Sequence, residues 1–165
     1  MRKSKKNIYY KNGFGLIEVV VAVSIISSSI LFVMFVAQLS QRVIGDGVSR
    51  LQAAFLAEEG IEAVKIIRDE SWQSGIDSLQ AGLNYYLDFN GSVWKATSSP
   101  VYVDNIFERI FTIENVGRDA NDDIIGSGGI NDPDTKKIVV SVSWRGRNGT
   151  TTESMSTYIT NLFSN

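Results

Sequence analysis

Hydrophobic and polar positions fall into three regimes along the chain. Phe14 to Ala37 is a predominantly apolar stretch whose sole charged residue is Glu18. From 38 to 70 the apolar positions recur at three- and four-residue spacing, first Ile44, Val48, Leu51 and Phe55, then Leu56, Gly60, Ala63, Val64 and Ile67. That is the signature of an amphipathic helix. Its other face carries Glu58, Glu59, Glu62, Lys65, Asp69 and Glu70. Together the two regimes predict one helix of 57 residues from Phe14 to Glu70. Gly45 and Gly47 are its expected soft point, each glycine costing about 1 kcal/mol in a helix interior.

The third regime, the 95 residues from 71 to 165, has the two-residue period of strands. Leu83, Tyr85, Leu87 and Phe89 alternate with more polar neighbours, and Asn90-Gly91 predicts a two-residue hairpin turn returning through Ser92 to Thr97. Ile106 to Val116 predicts a third strand. Ile138, Val140, Val142 and Trp144 place one apolar row on a fourth, and Arg145 to Gly149 turns into a fifth from Thr150 to about Asn161. Four or five antiparallel strands over the helix's apolar stripe make an α+β unit.

Between the third and fourth strands, Gly117 to Thr135 is rich in Asp, Asn and Gly and is expected to be a long loop, a feature often tied to function. Asp119, Asn121 and Asp123 have the one-apart spacing of a calcium loop. However, Gly126 is misplaced for the EF-hand turn and the twelfth position is Ile130, not an acid. The three residues stand as a candidate ligand loop, with no metal assigned.

Charge changes the picture most at the N-terminus. Residues 1 to 13 hold Arg2, Lys3, Lys5, Lys6 and Lys11 and no acid, so the positive-inside rule keeps this end cytoplasmic and exports the rest. The 24-residue apolar stretch from 14 to 37 is long enough as a helix for a hydrocarbon core of about 30 Å. Phe35 and Ala37 fit a signal-peptidase site badly, so the helix is expected to stay with the mature chain. Glu18 is then anomalous: an unpaired carboxylate in hydrocarbon costs on the order of 2.5–3.5 kcal/mol, and the chain supplies no cation beside it.

The run Gly13-Phe14-Gly15-Leu16-Ile17-Glu18, continuing into Val19-Val20-Val21-Ala22, resembles the class III signal of type IV pilins and type II secretion pseudopilins. The resemblance implies the pilin fold, a long helix packed on a small antiparallel sheet. It implies a basic leader (1–13) that a prepilin peptidase removes between Gly13 and Phe14, with N-methylation of the new Phe14 amine. It also implies that Glu18 pairs with the N-terminal ammonium of a neighbouring subunit, which supplies the missing cation in trans. Gly15 stands where the family usually has Thr, and the helix lacks the proline of major pilins, the only prolines being Pro100 and Pro133. Both departures resemble minor pilins, such as the minor pilin V and pseudopilin I groups.

On this reading, 14–37 is the transmembrane and filament-core half of the helix, 38–70 its amphipathic half and 71–165 the globular β domain. The partners implied are the prepilin peptidase, other pilin or pseudopilin subunits, an inner-membrane assembly platform, and membrane lipid before assembly. The place implied is the inner membrane with the N-terminus inside, then an extracytoplasmic filament. The charged helix face is read as solvated surface, or more sharply as inter-subunit pairing with Arg42 and Arg50.

Composition narrows the chemistry. With no His and no Cys, the chain builds no Ser-His-Asp or Cys-His nucleophile system, no thiolate zinc site and no disulfide framework, so an enzyme is not expected and no cofactor is implied. Loss of the five leader cations leaves 11 basic against 18 acidic side chains, a net of −7, which disfavours nucleic acid as a partner. Asn90 and Asn148 head formal glycosylation sequons that coincide with turns. Of Trp72, Trp94 and Trp144, at least two are expected in the core. Two functions follow: a structural filament subunit, or a filament-borne surface-binding module (adhesin or DNA-uptake receptor) using the 117–135 loop.

Overall fold

Apolar periodicity becomes a helix, α1, over Leu16–Glu70, 55 residues in which Gly45 and Gly47 are accommodated without a break. The computed structural model describes residues 15–126, 128–146 and 149–162. Phe14, the expected first helical residue, lies outside them. The chain divides into two compact units between Gly45 and Asp46, at the expected soft point of the helix.

In the first unit every described side chain of α1 is exposed. Three of its serines bond back to the helix: Ser24 donates to the Val20 carbonyl at 2.8 Å, and Ser28 and Ser29 both donate to that of Ile25, at 2.9 and 2.7 Å. Back-bonding of this kind lets a hydroxyl sit in an apolar medium at little cost. The helix is long and apolar enough to cross a membrane.

The second unit is α+β: the remainder of α1 packs on an antiparallel sheet, an architecture consistent with the pilin fold. After α1 a short π turn, Gln73–Asp77, leads to β1 (Tyr85–Phe89), β2 (Trp94–Thr97), β3 (Tyr102–Val103), β4 (Phe107–Arg118), β5 (Ile124–Ile125), β6 (Ile130–Gly146) and β7 (Gly149–Thr160). The sheet has seven strands rather than the four or five expected. Its main path is β2-β1-β4-β6-β7, with β3 and β5 both paired to β4. β3 and β5, of two residues each, are too short to carry an alternation legible in sequence.

Packing follows the pleat. Phe107, Arg109, Phe111 and Ile113 of β4 sit opposite Trp144, Val142, Val140 and Ile138 of β6, and all eight are buried beneath the helix. Two aromatic pairs, Phe107 with Trp144 at 6.0 Å and Tyr85 with Phe111 at 5.7 Å between ring centroids, extend this layer. Trp144 is core, and Trp72 and Trp94 pack half-buried against it, as expected.

The helix stripe that meets the sheet is the expected one from Leu56 to Ile67 and differs before it. Ala53, Ala57, Gly60, Ile61, Ala63, Val64 and Ile67 are buried, whereas Val48, Leu51 and Phe55 remain 51%, 57% and 60% exposed, and Ile44, in the first unit, is exposed as well. At about 100° per residue, Val48, Leu51 and Phe55 lie on the opposite side of α1 from Ala53, Ala57, Gly60 and Val64. Small residues win the contact because they let the helix backbone approach closely. A Cβ at Gly60 would stand 2.8 Å from Val140 Cγ1 and 3.3 Å from Arg109 Cδ.

Arg109 is 4% exposed. Its Nη1 donates to Glu59 Oε2 at 2.7 Å and to the Leu56 carbonyl at 3.4 Å, and its guanidinium carbon lies 5.2 Å from the centroid of the Trp94 ring. Nε is buried with no partner among the described residues. Arg50 meets Glu153 of β7 at 3.2 Å, so this cation has a partner within its own chain.

Two expected turns are redrawn. Phe89 pairs with Trp94, leaving Asn90, Gly91, Ser92 and Val93 as a four-residue loop instead of a two-residue turn. The reason is the Asn90 side chain, whose Oδ1 accepts from the Ser92 and Val93 N–H groups at 3.1 and 3.0 Å, while Gly91 takes φ +88°. The long loop from Gly117 to Thr135 is mostly sheet: β4 runs to Arg118, β6 starts at Ile130, and β5 pairs back on Gly117 and Arg118. A register shift there sets Asn115 against Lys136 and Val116 against Asp132, so that Pro133, which has no N–H to give, falls in the bulge.

The close approach sets opposite expectations for two glycines. Gly60→Leu should lower the stability of the second unit by about 1–3 kcal/mol through overpacking against Val140. At Gly47 a Cβ meets nothing within 4 Å, so Gly47→Ala should raise stability by up to about 1 kcal/mol. Denaturant unfolding of the detergent-solubilised chain, followed by tryptophan fluorescence, measures both.

Candidate functional site

Two places hold the residues singled out from sequence, and they lie in different units. The peptide bond between Gly13 and Phe14, expected to be cut, lies outside the described residues, and Glu18 begins the described part of that motif. Gly15 acts as N-cap of α1: its carbonyl accepts from the N–H groups of Glu18 and Val19 at 3.0 and 3.3 Å. Glu18 Oε2 reaches back to accept the Gly15 N–H at 3.1 Å. This is the carboxylate half of a capping box, and it sets a negative charge at the positive end of the helix dipole. Around it, Ile17, Val21, Ala22 and Ile25 form an exposed apolar patch. Among the described residues 15–37, Glu18 is thus the one charge on a mostly apolar surface, and its carboxylate is oriented toward Gly15.

The second place is the distal end of the β4–β6 pair, and its centre is a residue that sequence reading missed. Arg118 Nε donates to Asp132 Oδ2 at 2.6 Å, Nη1 to the Asp122 carbonyl at 2.7 Å, and Nη2 to the buried Thr135 Oγ1 at 3.3 Å. One planar guanidinium thereby ties β4, the turn after it and the bulge of β6 together. The hydrogen bond from Arg118, followed by that from Thr135, holds the Asp132 carboxyl below the usual carboxylate range, and Asp132 in turn holds Arg118 above its ordinary value. The signal available in sequence was an arginine at the end of a β-branched strand facing an Asp-rich segment.

Asp119, Asn121 and Asp123 are brought together, but by the backbone. Asp119 Oδ1 accepts the N–H groups of Asn121 and Asp123 at 2.8 and 3.0 Å, closing a turn in which Asp122 adopts φ +69°. Among the described residues no three His, Cys, Asp or Glu side chains converge as a metal site. Alongside lies a shallow cavity of about 520 Å³ lined by Arg118, Asp119, Asp122, Asp132 and Asp134. No protein-family model, curated protein or solved structure matches the chain.

The Arg118 hub gives a pH dependence whose sign is fixed. A carboxyl with a depressed folded pKa contributes stability above its unfolded value of about 3.9, and that contribution is lost as pH falls through the depressed value. Arg118→Gln should therefore move the Asp132 carboxyl up toward the ordinary range, with the hydrogen bonds from Thr135 and the Asp134 N–H still lowering it. The stability gap between the two proteins should be full above about pH 4 and narrow below it, to the part carried by the bonds from Arg118 to the Asp122 carbonyl and Thr135. Carboxyl-carbon NMR titration of Asp132, with acid unfolding curves of both proteins, reads the two effects.

Proposed function

We propose that the chain is a structural minor subunit of a type IV pilus or a type II secretion-like pseudopilus. On this reading a prepilin peptidase cuts between Gly13 and Phe14 and methylates the Phe14 amine. The helix holds the subunit in the inner membrane with its N-terminus inside, and an assembly platform then transfers it into an extracytoplasmic filament of like subunits.

The observation that carries this reading is Glu18: one carboxylate on the exposed apolar part of α1 in the first unit, met among the described residues by the Gly15 N–H. Isolated in hydrocarbon such a group is costly, and an ammonium created at Phe14 of a neighbour would neutralise it. The apolar residues of α1 that turn away from the sheet add support. Val48, Leu51 and Phe55 offer a surface that helices of adjacent subunits can cover once they leave lipid. In this mechanism apolar packing replaces contact with lipid, and charge pairing selects the axial position of each incoming helix.

Glu18→Ala should be processed normally at Gly13 yet be lost, or sharply reduced, from sheared filaments. Immunoblots of membrane and filament fractions compare the two proteins, and normal incorporation of the variant would sink the pairing mechanism.

A further inference from the structure

The two ends of the sheet are unequal, and both are open. β7 is 12 residues long, pairs with β6 in unbroken register, and among the described residues has no strand on its other edge. It overhangs the helix: Ile159 is its single buried residue. Natural edge strands of this length are ordinarily blunted by Lys, Pro or a bulge. β7 has none of these, and its one charged residue, Glu153, is already met by Arg50. At the other end, β2 offers four residues and an edge that no described strand covers. Beside it runs a groove of about 480 Å³ between β2 and the end of α1, with Ile67, Leu79, Trp94 and Ala96 among its lining residues.

Strand parity determines how these ends can meet. Every neighbouring pair on the path β2-β1-β4-β6-β7 is antiparallel, so after four reversals β7 runs in the same direction as β2. A second copy set beside the first without turning over therefore places its β7 parallel to β2. Its helix then covers the same face of the sheet and points the same way. Copies anchored in one membrane share that polarity. Two β7 strands pairing with each other antiparallel would point their helices in opposite directions.

We propose that the sheet continues between copies of this chain, β7 of one subunit adding in parallel to the free edge of β2 of the next. Met155, 40% exposed and opposite the buried Val140, lies on the helix side of β7. Ala96, opposite the buried Leu87, lies on the same side of β2. Met155 of the incoming strand thus enters the groove against Trp94 and Ala96, while Ser154 and Ser156 come alongside Lys95 on the outer face. The contact is heterologous, so it propagates instead of closing as a dimer. Four residues of pairing make it weak in solution, and co-anchoring in a membrane raises the effective concentration enough to populate it. The inference rests on the membrane-anchoring part of the proposed function and needs no filament.

A cysteine-free chain makes the test clean. Lys95→Cys is combined in turn with Thr152→Cys, Ser154→Cys or Ser156→Cys in the full chain, reconstituted in proteoliposomes and mildly oxidised. Adjacent strands lie about 4.8 Å apart, within disulfide reach for facing residues. At least one double variant should give a ladder of dimers, trimers and higher multiples, while each single variant stays largely monomeric. Met155→Lys, at an exposed position that leaves folding intact, should abolish that ladder. Absence of a ladder from all three doubles, dimers from a β7 single variant alone, or a ladder indifferent to Met155→Lys would each overturn the proposal. Because the readout is made in membranes before assembly, a failed crosslink counts against sheet continuation alone, and a failed Glu18→Ala test against the filament mechanism alone.

Discussion

The close contact between α1 and the sheet at Gly60 is the constraint on which the second unit depends. There the missing side chain lets the helix backbone sit against Val140, Arg109 and Leu87, so near that even a methyl group would need one of them to move. Ala53 and Ala57 keep the approach close along the preceding turns, and Ile61, Val64 and Ile67 fill the spaces on either side. The sheet answers with its largest apolar row, Phe111, Ile113, Ile138, Val140 and Val142, all essentially removed from water. Close packing of this kind tolerates neither added nor missing volume, which is why the identity of one glycine matters more than that of any exposed leucine.

The same contact explains which parts of the fold were legible in sequence. Ile138, Val140, Val142 and Trp144 alternate strictly, and strict alternation survives because one face of β6 is covered and the other is not. The helix stripe was read correctly from Leu56 to Ile67 and misread before it, because large apolar residues attract attention: Leu51 and Phe55 share the helical period of the true stripe but lie on the opposite face, while Ala53 and Ala57 carry little hydrophobic signal. Residues 117–135 looked like a loop because Asp, Asn and Gly favour turns. Long-range pairing of β4 with β6 overrides that local preference. In the candidate site, Glu18 was legible because a lone carboxylate in an apolar run is improbable by chance. Arg118 was not, because its partners Asp132 and Thr135 are brought to it only by the bulge.

Buried and half-buried charge is used sparingly and at joints. Arg109 is placed where the helix meets β4, the middle strand of the sheet's main path, with Glu59 in reach and the Trp94 ring alongside, and its long stem fills space that an apolar residue would otherwise fill. Its partner Glu59 is half exposed, so the pair sits at the dielectric boundary, where the desolvation cost is moderated. Arg118 does the same work for the distal hairpin, where hydrophobic contacts thin out and polar bonds must hold the chain path.

The two outer surfaces of the second unit are finished to different standards. On the far side of the sheet, Ser141 pairs with Ser154 and Ser143 with Thr152, both at 2.8 Å, Lys137 reaches Glu114 at 3.0 Å, and Tyr86 donates to Glu108 at 3.0 Å. Each of these groups has a partner and can face water without further help. On the far side of the helix, Val48, Leu51 and Phe55 are exposed and have no cover among the described residues. A soluble monomer gains nothing from that asymmetry, since an apolar helix face in water costs free energy roughly in proportion to its area. It makes sense if the sheet is the side presented to solvent and the helix the side presented to other helices. The residues of α1 in the first unit are likewise exposed and mostly apolar, and in the second unit β2 and β7, at the two ends of the path, run in the same direction.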